Sequence, residues 1–398
     1  MRRLLTFSIF VSLSLATTFA EDNGTGFVGD GYYRISNYAT QRYIYVTDNK
    51  DYYDKSKDIG DFQALQLWKD IDRAVNDPAS VIYMQKMWTD HYDLKAQGTG
   101  VHKLTGFYLF ADKQSNGTYE VSASVSKAGI TVTKYLTDDE QSSSAQGKMG
   151  TKGKLNYKKW IVNKLETNHA TNYFGIKPTI EWNGKYYQPF YADFPFKAAS
   201  QDMRIFYINQ IDGDIALLQE ITGEIPANTP VLIECTSTDP SENRLDLLLS
   251  TSATVTGNKL SGVYFCNGKR PQASTDAYTK FNPSKMRVFS VVNGKLVLTK
   301  DAPDRLVQLK TVDWSTEEDI IVSCLPANTS YLKAESTTAS EIVLTDDPTN
   351  INNILTSTKE NTTEGVYTVS GTQLRATNDV EGLPAGLYIV GGRKIAVK

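Results

Sequence analysis

The chain predicts a mostly β protein, on three observations. Tyrosine is abundant, 23 residues against 15 Phe and 5 Trp, and Thr, Val and Ile recur in short alternating runs, as in half-buried strands rather than helices. Asn183-Gly184, Asp212-Gly213, Asn267-Gly268 and Asn293-Gly294 supply the positive φ that two-residue hairpins require. Short strings also return at long range, Met203-Arg-Ile-Phe206 as Met286-Arg-Val-Phe289 and Pro226-Ala-Asn-Thr229 as Pro326-Ala-Asn-Thr329.

Residues 1–20 read as an export leader. Arg2 and Arg3 precede an apolar run from Leu4 to Leu15, and Thr18-Phe19-Ala20 is a small-x-small cleavage site, placing the cut between Ala20 and Glu21. The run is too short to span a bilayer, and no other segment approaches that length, so no membrane span is expected. Removing the leader takes away two arginines and no acid, moving the formal charge from −3 to −5. A mildly acidic chain whose mature part has no Lys/Arg cluster longer than a pair is not expected to bind nucleic acid. About 150 residues per domain predicts two or three domains.

The first module starts with Gly31-Tyr-Tyr-Arg-Ile35, Tyr43-Ile-Tyr-Val-Thr-Asp48 and Gln66-Leu-Trp68. A similar order returns as Gly117-Thr-Tyr-Glu-Val121, Lys134-Tyr-Leu-Thr-Asp138 and Lys158-Lys-Trp160. Trp68 and Trp160 lie 92 residues apart, two steps of 46, inside the window of repeat architectures. A degenerate middle repeat would use Val81-Ile-Tyr-Met84, Tyr92-Asp-Leu-Lys95 and Phe107-Tyr-Leu-Phe110. Three such units resemble a ricin-type β-trefoil lectin domain over residues 27–168, which implies a lectin-like module. Residues 61–75 also fit an amphipathic helix through Phe62, Leu65, Trp68, Ile71 and Val75. The candidate ligand contacts are Tyr43, Tyr45 and Asp48, because rings stack on sugars while carboxylates accept from hydroxyls. The alternative for the two tyrosines, which share one strand face, is packing under a neighbouring strand.

Residues 171–345 read as a duplicated β-sandwich. Each copy runs strand, Asp-Gly or Asn-Gly turn, strand, then a Pro-Ala-Asn-Thr turn feeding an apolar strand. The two motif pairs are offset by 83 and 100, so the second copy carries 17 extra residues, expected as a surface loop within Asp313–Asp319. The stretch from Phe190-Tyr-Ala-Asp193 through Ile225-Pro-Ala-Asn-Thr-Pro230 resembles a β module of uncharacterised surface proteins of Bacteroidota, and implies no activity.

Residues 346–364, rich in Asn, Thr and Ser, read as a linker. Within residues 365–398, Val366-Tyr-Thr-Val-Ser-Gly371 and Gly386-Leu-Tyr-Ile-Val-Gly-Gly-Arg-Lys-Ile-Ala-Val-Lys398 resemble the C-terminal sorting domain of type IX-secreted Bacteroidota proteins. That resemblance implies engagement of the secretion machinery by this module; an ordinary hairpin capping the sandwich is the alternative.

Catalytic signatures are sparse. No His-Glu-x-x-His, Gly-x-Ser-x-Gly, Walker loop or dinucleotide fingerprint occurs, and no metal or cofactor is expected. The Asp70-x-Asp72 and Asp212-x-Asp214 pairs lack the further oxygen ligands of a calcium loop. Cys235, Cys266 and Cys324 are read as buried small residues or as one disulfide, with Cys235–Cys266 the favoured pairing. The expected function is a secreted or cell-surface, non-enzymatic protein binding glycans or a host or neighbour surface component. An extracellular hydrolase, glycoside hydrolase or peptidase, with a lectin-like targeting domain is the alternative, since paired carboxylates leave no spacing signature in a β fold; a structural surface protein is the third.

Overall fold

The computed structural model describes residues 24–46, 65–68, 74–97, 109–127, 130–138, 148–150, 156–264, 278–313, 316, 318–335, 337–346, 365–368, 371–390 and 393–397. Almost all of its regular structure is strand, with 3-10 turns at Pro78–Ser80 and Pro303–Arg305, so the mostly β class holds. No helix among the described residues is long and apolar enough to cross a membrane. The expected leader, residues 1–20, and residues 347–364 of the expected linker 346–364 lie outside the described residues.

Six antiparallel strands close into a barrel. Gly31–Asn37 pairs with Ile82–Trp88, which pairs with His91–Ala96, then Leu109–Lys113, Tyr119–Lys127 and Lys159–Lys164, and the last returns to the first. Two further hairpins extend the sheet, Tyr43–Val46 with Leu65–Trp68 and Ile130–Thr137 with Lys148–Gly150. The strand at Leu65–Trp68 overrules the helical reading of residues 61–75 there.

Alternation along the strands fills the barrel. Tyr33, Tyr92 and Tyr119 occupy matching places on the first, third and fifth strands of the ring, followed two residues on by Ile35, Leu94 and Val121, all in one core with Met84, Trp160 and Val162. Phe27 plugs the barrel beside Tyr33 and Tyr92, and its N–H donates to the Tyr119 hydroxyl at 2.7 Å. This correspondence corrects the repeat phase. Gly31-x-Tyr33 does match Gly117-x-Tyr119, but Trp68 sits in an outer hairpin strand whereas Trp160 is a barrel strand opposite Tyr119. The 92-residue spacing therefore joins non-equivalent positions. Val81–Met84 likewise belongs with the first unit, opposite Tyr32 and Tyr33, rather than opening the second.

The middle region is built on a ten-stranded sheet folded into two facing halves, with a three-stranded sheet of Phe174–Gly175, Arg244–Leu247 and Phe196–Ala198 beside it. In the first half, Ile180–Trp182, Lys185–Phe190, Val231–Cys235, Arg204–Asp212 and Ile215–Ile221 are neighbours in that order. In the second, Glu341–Thr345, Lys295–Thr299, Met286–Val292, Thr329–Lys333 and Leu260–Val263 follow. Glu341–Thr345 joins the halves, parallel to Ile215–Ile221 and antiparallel to Lys295–Thr299. Phe206, Ile208, Leu218 and Leu232 from one half meet Phe289, Leu296, Leu298 and Leu332 from the other in a common core. Both halves share a motif, a hairpin whose first strand also pairs with the strand after the Pro-Ala-Asn-Thr turn. Asn183-Gly184 and Asn293-Gly294 have positive φ throughout, as hairpin turns demand.

The extra residues of the second copy are a hairpin, not a loop. Val307–Asp313 pairs with Glu318–Cys324 over its whole length, and Asp313–Asp319 merely spans its tip. The alternation Val307, Leu309 and Ile320, Val322 carries the strand signal that the acidic tip obscured.

Barrel and sandwich share a buried seam. Tyr32, Val81 and Tyr83, on the outer face of the barrel, pack with Phe174, Phe190, Phe194, Phe196, Ile205 and Val231. Arg34, also outward-facing, is buried there, donating to Asn172 Oδ1 at 2.8 Å and to the carbonyls of Ala74 and Tyr173 at 2.9 and 3.0 Å. Burial lowers its pKa to about 10, and these acceptors compensate its lost hydration.

Both Pro-Ala-Asn-Thr turns converge on this seam. Asn228 and Asn328 have φ of 60° and 54°, which asparagine tolerates better than most residues. Asn228 Nδ2 donates to Asp193 Oδ1 at 2.7 Å, and Asn328 Nδ2 donates to Gln97 Oε1 at 3.2 Å and the Tyr191 carbonyl at 3.0 Å. Gly262 is required here, since a Cβ would lie 2.2 Å from the Tyr191 ring.

The tail forms a separate antiparallel sheet, Gln373–Arg375, Val366–Thr368, Gly386–Val390 and Arg393–Val397 in spatial order, around Val366, Tyr388 and Val390. Its strands add to neither sandwich half.

Candidate functional site

An aromatic ladder stands on the outside of the barrel. The hairpin Ile82–Trp88/His91–Ala96 starts inside, with Ile82 and Met84 in the core, and runs out to a tip where Lys86 through Asp90 are exposed. Its register places Lys86 opposite Tyr92 but Trp88 opposite His91, so Met87 is an extra residue on one strand. Such a bulge bends the strand and re-aims the side chains beyond it. Asp90, with φ 57°, completes the tight turn.

The consequence is a stack of three rings. Trp88 is 58% exposed and lies face to face with His91, centroids 4.0 Å apart and planes within 11°. His91 stacks in turn on Phe110 at 4.5 Å. Asp112, directly across the next strand pair, meets His91 Nδ1 through Oδ1 at 2.6 Å, while its Oδ2 accepts from Ser122 Oγ at 3.4 Å. Asp112 thereby locks the imidazole plane, and the imidazole holds the indole flat. The site presents an apolar face beside a carboxylate, with Met87, 49% exposed, next to it.

The expected contacts fall elsewhere. Tyr45 is completely buried against Ala74 and Ala79, with Tyr43 half-buried on the same cluster, while Ile44 on the opposite face is in the barrel core. Both faces of that strand are interior, because residues 74–80 cover the tyrosine side. The stacking role assigned to Tyr45 is therefore corrected to packing, and burial raises the Tyr43 pKa. Asp48 lies outside the described residues. Trp88, Phe110 and Asp112 were not anticipated; the available signal was the tryptophan immediately preceding a Thr-Asp turn at Trp88-Thr-Asp-His91.

A second concavity, about 300 Å³, lies between barrel and sandwich, lined by Asp30, Glu166 and Asp246 beside Tyr32, Lys164 and Leu249. Asp30 Oδ1 accepts from the Lys86 backbone N–H at 2.9 Å, and Asp246 Oδ1 accepts from Thr167 Oγ1 at 3.0 Å. No group of three or more His, Cys, Asp or Glu able to hold a metal occurs among the described residues. Asp212 closes a hairpin opposite Ile215, and Asp70 and Asp72 lie outside the described residues. Cys235 is a buried free thiol and Cys324 is buried as well; Cys266, the expected partner of Cys235, lies outside the described residues. Compared with protein-family models, curated proteins and solved structures, the chain matches none of them.

Proposed function

We propose that this protein is a non-enzymatic glycan-binding protein of the cell exterior that holds a sugar ring on Trp88. The observation that carries the reading is the exposed indole, face-stacked on an imidazole that Asp112 pins. An immobilised flat apolar surface loses little side-chain entropy when a sugar covers it, and the Asp112 carboxylate is placed to accept from hydroxyls. The lectin-like trefoil reading has support from the barrel. Its first and last units each place their outer strands in the ring and their inner two in a hairpin, as a three-fold repeat would. Export rests on the leader at residues 1–20 and on the tail's resemblance to a type IX sorting module, which would engage the secretion machinery. The partner is a glycan on a host or neighbour surface.

The test is a glycan-array screen of residues 21–398 beside a Trp88→Ala variant. The expected outcome is specific binding that weakens at least about tenfold in the variant, the loss of one well-packed aromatic contact, with an unchanged melting temperature because the indole is exposed. Absence of binding to any glycan, or binding indifferent to Trp88, overturns the reading. The hydrolase alternative rests on the acidic cleft at Asp30, Glu166 and Asp246; turnover of a polysaccharide panel, abolished in an Asp30→Asn/Asp246→Asn variant, would favour it.

A further inference from the structure

The second half of the sandwich carries a basic groove remote in sequence from the aromatic ladder. Its volume is about 950 Å³, and Lys285, Arg287, Lys300 and Lys333 line it with Glu335 as the acidic side chain. The three lysines share one end of three adjacent strands. Lys285 immediately precedes Met286–Val292, Lys333 ends Thr329–Lys333 and sits opposite Met286, and Lys300 follows Lys295–Thr299. With strands about 4.8 Å apart, the backbone positions of all three fall within roughly 10 Å of each other.

Arg287 builds the groove rather than charging its opening. It is buried, and it donates to the carbonyls of Ala339, Pro283, Met286 and Thr338 at 2.6 to 3.0 Å, tying together the segments that form the walls. Among the described residues, Lys285, Lys300 and Lys333 make no ion pair. With three lysines and a single carboxylate, Glu335, in its lining, the groove carries a net positive charge that an anion would neutralise.

The first copy supplies an internal control. Aligning Met203-Arg204 with Met286-Arg287 through the strand registers places Asp202 where Lys285 stands, Cys235 where Lys333 stands and Thr222 where Lys300 stands. No lysine of the trio has a cationic counterpart, so the charge belongs to this half and not to the shared scaffold.

We infer that this groove binds an acidic oligosaccharide, one carrying sulfate or uronate groups. The volume falls within the range of small-ligand sites, about 300–1,000 Å³, and exceeds the needs of a lone inorganic anion. Ser284, Thr338, Ser340 and Glu335 in the lining match sugar hydroxyls. Single-stranded nucleic acid instead needs exposed aromatic platforms for its bases, and the aromatic residue in the lining, Tyr331, is buried.

The test is equilibrium binding of the full chain to a fluorescent heparin hexasaccharide, an oligogalacturonate, a neutral dextran oligomer and a short oligothymidylate. The expected result is binding of the sulfated or uronate probe, weakened by added salt, with the neutral chain and the oligothymidylate weaker. Single Lys285→Ala, Lys300→Ala and Lys333→Ala variants each lose about tenfold, and the triple variant loses nearly all binding while melting like the parent. Trp88→Ala leaves this binding intact, which separates the groove from the glycan site on the barrel. Failure of both acidic probes, acidic-probe binding unchanged in the triple variant, or preference for the oligothymidylate overturns the inference.

Discussion

The two halves of the sandwich share a fold but handle their matched arginines in opposite ways. Arg204 is part-exposed and lies among carboxylates, reaching Glu220 at 2.8 Å, Asp346 at 3.3 Å and Glu234 at 4.0 Å. Its counterpart Arg287 is buried and donates to four backbone carbonyls. By register, Glu234 corresponds to Leu332 and Glu220 to Leu298, and both leucines are core residues. Where carboxylates compensate the arginine, the charges at that end of the sheet are paired; where carbonyl dipoles do so, the neighbouring Lys285, Lys300 and Lys333 form no ion pair among the described residues. The lesson is that two halves with the same strand order can differ in how they pair charge.

The Pro-Ala-Asn-Thr alignment would match Glu234 with Ala334, two residues from the match the strand registers make. An even slip leaves every side chain on its original face, which is why both cores survive it.

The largest effect that would break this comparison comes from the arginines themselves. Arg287→Ala should destabilise by about 3–5 kcal/mol, because it strands four carbonyl acceptors and opens a cavity. Arg204→Ala should cost about 1 kcal/mol or less, since its ion pairs are part-exposed and screened. Urea unfolding of both variants reads the difference, and equal losses would show that the two environments are energetically alike.

Thiol chemistry sharpens the same contrast. Burial, with Glu234 adding to it, pushes the Cys235 thiol up to about 12, while the matched position in the second copy holds the exposed Lys333. In a Lys333→Cys variant the new thiol should react with a disulfide reagent at pH 8 about a thousandfold faster than Cys235 in the folded parent, following the thiolate fractions. Comparable rates would mean that the strand bearing Cys235 opens readily.

The smallest effect belongs to the hairpin that the second copy alone possesses. Ile321 is 72% exposed on it, so Ile321→Lys should change stability by no more than about 0.5 kcal/mol. A larger loss in thermal melting would mean that the hairpin is packed against something the second half needs.

The aromatic ladder was poorly legible beforehand for a geometric reason. His91, Phe110 and Asp112 meet across strands, and the bulge at Met87 that turns Trp88 toward them exists only in the pairing register. Tyr43 and Tyr45 looked equally suitable, since strand alternation alone does not say which face a distant segment will cover. The lysine trio is similarly spread over residues 285–333, so no local charge run announced it.

Local chemistry, then, determined the β class, the Asn-Gly hairpin turns and the duplication, because alternation, positive-φ turn residues and repeated strings are written in neighbouring residues. The tertiary structure alone decided the closure of the barrel, the true phase of its repeats, the burial of Tyr45 and the convergence of Asn228 and Asn328 on one seam. Each of those depends on which strand lies beside which, and that is set by long-range packing, which leaves no trace in the spacing of any one segment.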